Sequence, residues 1–231
     1  MTKLYEVNQQ SYKPEGTIAT MWQDTNYKTF TDDLARMTLF SSQRGRNLHY
    51  LSSPVSYHEL GRKHIVDNFL GDWVLMLDTD HSFAPDILER MLLLQKKTNI
   101  PVLSAIYQFK APPHSPVASI WTPDGKLVPV LDWDREKEVM EVGVVGAGCL
   151  LVQRWVFLEI ISKLCEDPFG IRPGLSEDYS FCKRCKELEI PIYLALQIEC
   201  HHVIRSVLSV QDYRPNIKTQ SFEIENGNIV K

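Results

Sequence analysis

The stretch WVLMLDTDH, from Trp73 to His81, constrains this chain more than any other. Trp73 to Leu77 are apolar without a break, the pattern of a strand buried on both faces of a mainly parallel sheet. The run stops abruptly at Asp78, Thr79 and Asp80. In open α/β sheets, ligands bind beyond the carboxyl ends of the strands. Two carboxylates one residue apart at such a place suit a hard divalent cation, which takes oxygen ligands and keeps positions for phosphate. An acidic turn or a helix cap would use the same residues, so the motif needs company before it carries a function.

The flanking sequence supplies alternating strands and helices. GTIATMW (Gly16 to Trp22) reads as a first strand. Thr31 is the expected N-cap of a helix with Asp32 and Asp33 in its first turn, and Leu34, Met37 and Phe40 follow at helical spacing. Asn47 to Ser52 is a second strand. Ser56 with Glu59 makes a capping box for a helix that carries Arg62 and closes at Gly71. Beyond the aspartates, Pro85 opens a helix with Ile87, Leu88, Met91 and Leu92 on its apolar face. PVLSAIY (Pro101 to Tyr107) is a further buried strand. This order predicts an α/β fold: a mixed, mostly parallel central sheet flanked by helices.

Residues 108–142 break the rhythm. Two short strands around Pro123-Asp124-Gly125 predict a hairpin insertion over one end of the sheet. VGVVGAGCLLV (Val142 to Val152) has the wrong glycine spacing for a dinucleotide fingerprint, and glycine there lets a ligand or another backbone approach closely. A helix with Trp155, Leu158, Ile161 and Leu164 inward follows. The loop Glu166 to Leu175, with two prolines and two glycines, is expected to be mobile. Ser176 caps a helix whose buried face is Phe181, Cys182, Cys185 and Leu188. IPIYLALQI leads to Cys200, His201 and His202, and a polar tail begins at about residue 215. The whole of 1–231 reads as a single domain.

Composition removes several classes. An apolar fraction of 44% and a charged fraction of 23% are those of a globular protein, and a net charge of −4 gives no global field for nucleic acid. No apolar stretch reaches membrane-spanning length, and no signal-peptide core opens the chain. Five cysteines without a framework spacing favour a reduced, cytoplasmic setting.

Three polar clusters each follow a buried strand or a glycine-bearing loop: Asp78 to Asp80, Ser176 to Asp178, and His201 with His202. Together they offer two metal carboxylates, a candidate base and an imidazole ligand. Their order and spacing resemble the GT-A glycosyltransferases, the nucleotide-diphospho-sugar transferases, and in particular small soluble members related to family two. The resemblance runs from Gly16 to Tyr213. LMLDTD is similar to the family's D-x-D strand, VVGAGCLLVQRWVF to its acceptor-side segment, SEDYSFCKR to its E-D-x-x-F-C-x-R helix, and HHV to its late metal histidine. Gly61-Arg62-Lys63 stands where the family has alanine-arginine-asparagine.

The resemblance implies a metal-dependent glycosyltransferase using a UDP- or GDP-sugar. Thr20, Trp22, Arg62, Asp78, Thr79 and Asp80 would contact the donor. Asp80, with Asp78 and His202, would hold Mn2+ or Mg2+, with His201 in reserve. Gly146, Gly148 and Glu177 would meet the acceptor, and Asp178 would be the base of an inverting reaction. The acceptor stays open between a small molecule, a protein and a modified nucleic-acid base. Small stand-alone enzymes of this kind are frequent in bacteria and their phages.

Three rivals remain. Cys182, Cys185 and Cys200 with His201 or His202 have the ligand types of a zinc site. A nucleotidyltransferase acting on sugar phosphates shares the metal-and-phosphate logic, although MWQDTNYKTF lacks its glycine-rich basic loop. A module that binds nucleotide sugar without turning it over is the third.

Overall fold

A computed structural model describes residues 13–21, 27–54, 57–204, 223–225 and 228–230. Trp22 and Ser56 lie outside these residues, and with them the expected donor contact of one and the capping box of the other.

The sheet is assembled around two strands buried from end to end. β1 (Gly16–Met21) and β3 (Trp73–Leu77) are buried along their whole length and pair in parallel, with β2 (Leu48–Ser53) parallel on the far side of β1. β5 (Val102–Ile106) and β11 (Ile192–His202) form a second parallel pair. Between the two pairs runs β10 (Cys149–Gln153), antiparallel to both β3 and β5. β4 (His81–Phe83) and β8 (Val139–Val142) pair antiparallel with β11. The order is β2-β1-β3-β10-β5-β11-β4, with β8 also on β11.

The reversal at β10 follows from where the chain has been. After β5 the chain builds a small sheet of β6 (Ala118–Trp121), β7 (Leu127–Pro129) and β9 (Val144–Val145), passing along β11 as β8 between β7 and β9. β10 then starts at the carboxyl end of β3, with Cys149 opposite Leu77, and so runs backwards. The expected hairpin is therefore present as β6 and β7, whereas β8, assigned by sequence to the insertion, joins the main sheet.

Among the described residues, five helices cover the faces: α1 (Lys28–Ser42), α2 (His58–Asn68), α3 (Ile87–Thr98), α4 (Arg154–Leu164) and α5 (Glu177–Glu187). Two apolar cores result, one on each side of the sheet. β12 (Glu223–Glu225) and β13 (Asn228–Val230) form a separate antiparallel pair.

Two helices depart from expectation. α1 begins at Lys28, so Thr31 is not its cap, and Asp33 reaches from its side to accept hydrogen bonds from Ser82 Oγ at 2.7 Å and the Phe83 amide at 3.2 Å. That contact ties α1 to β4. In α4 the buried face is Val156, Phe157 and Ile160, while Trp155, Leu158 and Ile161 are exposed. The helix carries two apolar stripes, and the aromatic cluster of Phe69, Phe157, Phe169 and Phe181 selects the one with Phe157. α5 matches expectation, with the Ser176 hydroxyl accepting from the Tyr179 amide at 3.3 Å.

Candidate active site at the strand ends

Beyond β3 the chain turns sharply into β4. The Asp78 amide donates to Gly148 O at 2.9 Å and the His81 amide to Asp78 O at 3.3 Å. This turn delivers Asp80 and His81 side by side, with His81 Nδ1 3.1 Å from Asp80 Oδ1. The long strand β11 shifts register after Ala195 and runs past β5 to pair with β4, setting His202 opposite His81 and His201 opposite Ser82. Alternation along a strand then separates the two histidines. His202 turns inward, its ring centroid 4.2 Å from that of His81, while His201 is exposed and has Glu199 at 3.9 Å as an ion-pair partner.

Asp80, His81 and His202 each present a ligand atom, all within 4.8 Å of one another. His81 is completely buried, yet neither of its ring nitrogens makes an aligned hydrogen bond. His202 Nδ1 engages the Gln108 carbonyl, which leaves Nε2 as the free, lone-pair nitrogen when Nδ1 carries the proton. Burial also lowers the His202 pKa, with the Gln108 contact working against that trend. One carboxylate and two imidazoles, one of them buried without an aligned hydrogen bond, fit a divalent transition metal such as Mn2+.

Sequence reasoning missed His81, although it stands next to Asp80. It placed Asp78 with Asp80 and His202 around the metal. Asp78 Oδ1 is taken by Arg62 Nη2 at 2.7 Å, and Asp78 is not in the cluster. Asp80 Oδ2 meets the Lys110 ammonium. Burial opposes ionisation of Asp80, but His81 and Lys110 together hold its carboxyl far below the usual range.

Arg62 is among the most buried side chains of the protein, 1% exposed, on the inner face of α2 with Ile65 and Val66. Its Nε and Nη1 have no hydrogen-bond partner. The fields of Asp78, Asp178 and Glu177 converge on it and raise its pKa against the cost of burial. Asp178 lies at the N-terminus of α5, takes a hydrogen bond from the Ala147 backbone, and has a buried Oδ1 without a partner. A carboxylate at a helix N-terminus is ordinarily favoured as the anion. Burial dominates instead and, with Glu177 and Asp78 adding to it and Arg62 opposing, pushes its pKa up to about 7. Glu177 Oε1 lies 3.6 Å from His58 Nδ1.

The glycines of residues 146–148 make room for side chains. A Cβ at Gly146 would lie 2.3 Å from Tyr107 Oη, and one at Gly148 2.6 Å from His81 Cε1. Tyr107 Oη accepts from the Gly148 amide at 3.1 Å, and its ring meets both His81 and His202 edge-on. The space that sequence reasoning left for an acceptor against these two glycines is thus filled by the site's own aromatic residues. Thr20 and Thr79 are both buried. Thr20 Oγ1 bonds Tyr50 Oη at 2.9 Å, and Thr79 Oγ1 has no partner.

The zinc alternative fails on geometry. Cys182 and Cys185 lie in the core on one side of the sheet and Cys200 in the core on the other. The loop from Glu166 to Leu175 is also better held than expected. Phe169 is buried, the Ile171 amide donates to Glu59 Oε1 at 3.1 Å, and Arg172 binds Glu166 at 2.8 Å and Glu187 at 2.6 Å.

No protein-family model matches this sequence, and no curated protein matches it in sequence. Solved structures match in fold. A197 from STIV superposes with a TM-score of 0.52 and 18% identity, over 82% of this chain and 86% of its own. GalNAc-T7, solved with UDP, GalNAc and Mn2+, superposes with a TM-score of 0.58 and 9% identity over 87% of this chain. The present chain spans 44% of that one. The chain has the GT-A fold of the glycosyltransferases. Among the described residues, no helix is long and apolar enough to cross a membrane.

Proposed function

We propose that this protein is a metal-dependent glycosyltransferase that moves a sugar from a UDP- or GDP-sugar to an acceptor hydroxyl with inversion. The observation that carries the reading is the partly buried Asp80, His81 and His202 cluster at the strand ends of a GT-A fold. Asp80, His81 and His202 would hold Mn2+ or Mg2+, which supplies Lewis-acid stabilisation of the charge developing on the leaving diphosphate. Asp78, fixed by Arg62, would face the ribose, with Thr20 and Thr79 behind the nucleotide. Glu177, next to Asp178 at the start of α5, would form the acceptor side. Asp178, with a pKa near 7, is matched to taking the acceptor proton at neutral pH and is kept from solvent until it does so.

A thermal-shift panel of UDP, GDP and their sugars, with and without Mn2+, tests the first half of this reading, since a ligand of the native state raises the melting temperature. Product analysis for free sugar released to water tests the second. Metal-dependent stabilisation together with donor hydrolysis is the expected result. Stabilisation without any turnover would favour a binding module. Release of pyrophosphate from a nucleoside triphosphate and a sugar phosphate would favour a nucleotidyltransferase. No response to any nucleotide diphosphate in Mn2+ sinks the proposal.

A further inference from the structure

We propose that Lys110 changes partners during the binding cycle: it neutralises Asp80 in the metal-free protein and moves to the diphosphate of the donor when metal and nucleotide bind. This rests on the glycosyltransferase reading above and adds a diphosphate-binding residue to it. The Lys110 ammonium meets Asp80 Oδ2, while Asp80 Oδ1 faces His81. A divalent ion at Asp80, His81 and His202 and an ammonium on the same carboxylate repel one another, and like charges this close in a half-buried site are strongly unfavourable. Binding of the ion therefore frees Lys110. The negative group that arrives with the ion is a diphosphate, and lysine is a point-charge ligand for phosphate.

The architecture suits such an exchange. Lys110 belongs to the loop between β5 and β6, whose base is clamped. Val117 N donates to Tyr107 O at 2.9 Å, Phe109 N to Ser115 O at 2.9 Å, and Gln108 bridges to Pro116. The same loop orients His202 through the Gln108 carbonyl. Its backbone is thus fixed beside the cluster, while the Lys110 side chain remains 45% exposed on a long flexible stem. Arg62, the neighbouring cation, is 1% exposed and committed to Asp78.

The test uses the full chain and two titrations. Mn2+ alone, followed by electron paramagnetic resonance of the free ion, is compared between wild type and Lys110→Gln. UDP and GDP are then titrated calorimetrically at saturating Mn2+. Loss of a competing ion pair is expected to tighten Mn2+ about two- to fivefold. Loss of a charged phosphate contact is expected to weaken nucleotide about tenfold or more, and Lys110→Arg is expected to restore most of it. Effects of opposite sign support the exchange. Unchanged affinities, or both weakened together as a damaged loop would give, overturn it. If wild type itself binds neither UDP nor GDP in Mn2+, the glycosyltransferase reading fails and this inference with it. If wild type binds and Lys110→Gln binds equally well, this inference alone fails.

Discussion

His202 stands directly across the antiparallel ladder from His81, and their rings lie 4.2 Å apart. The two are separated by more than half the chain yet occupy one register position, on a strand pair whose remaining contacts are few. Replacing either with alanine is expected to weaken Mn2+ binding by about 100-fold, at least the cost of disturbing a ligand's supporting contacts. His201→Ala, on the solvent side of β11, is expected to leave Mn2+ affinity unchanged. Mn2+ titration of the three variants decides the matter, and damage from His201→Ala alone would reverse the assignment.

Asp178 gives a prediction in pH. Its unprotonated form is the competent base, and burial places its pKa at about 7. Transfer is expected to fall as pH drops below about 7 and to level off above it. Asp178→Asn is expected to lose roughly two to four orders of magnitude in transfer, with nucleotide affinity retained. A pH profile flat between 5 and 8 in wild type, or near-normal transfer by the variant, contradicts the role.

The same residue links activity to stability. A carboxyl whose pKa is raised on folding binds its proton more tightly in the native state, so its contribution is fully present below about pH 4 and is lost as pH rises towards 7. Asp178→Asn is therefore expected to melt higher than wild type at pH 8, with the gain shrinking at pH 5. Calorimetric scans at both values check the sign.

Arg62 and Asp78 form an ion pair of which the arginine is wholly buried. Removing one partner of such a pair costs about 3–5 kcal/mol because the other is left uncompensated. Arg62→Met is expected to lower the melting temperature by about 6–20 °C, and the double change with Asp78→Asn to recover a large part of that loss. Thermal melts of the two single variants and the double variant form the test.

At Gly148 any side chain meets His81 at 2.6 Å. Gly148→Ala is expected to cost about 1–3 kcal/mol of stability by overpacking and to weaken Mn2+ through displacement of His81. Equal Mn2+ affinity in a folded Gly148→Ala protein would show that His81 does not bind the ion.

Much of this site is legible in the residues themselves. Five apolar residues ending in Asp-Thr-Asp place a strand terminus at the right spot, and Ser176 before two acids marks the start of α5. His81 was hidden because a three-residue strand is too short to show alternation, although His81 and Phe83 inward with Ser82 outward is that pattern. The burial of Arg62 is legible as well. Its spacing to Ile65, Val66 and Phe69 sets it on the apolar stripe of α2, and a charged residue on such a stripe is the sign of a buried pair. The inward face of α4 was undetermined because both of its stripes are apolar, and only the aromatic ring cluster around Phe157 distinguishes them. The direction of β10 depends on the path of the chain after β5, which no local pattern encodes. The segment from Glu166 to Leu175 reads as loose from its prolines and glycines, but Arg172 staples it at long range.

β4 is a three-residue strand whose pairing, among the described residues, is with β11 alone. A growing chain that has made residues 81–83 can tie them to α1 through Asp33, but has no strand to pair them with until residues 200–202 emerge. Until then Asp80 and His81 lie on an unpaired segment, and the second imidazole does not exist. The cluster is a product of the last step of sheet assembly, so a capacity to bind Mn2+ would report completed folding of the whole domain.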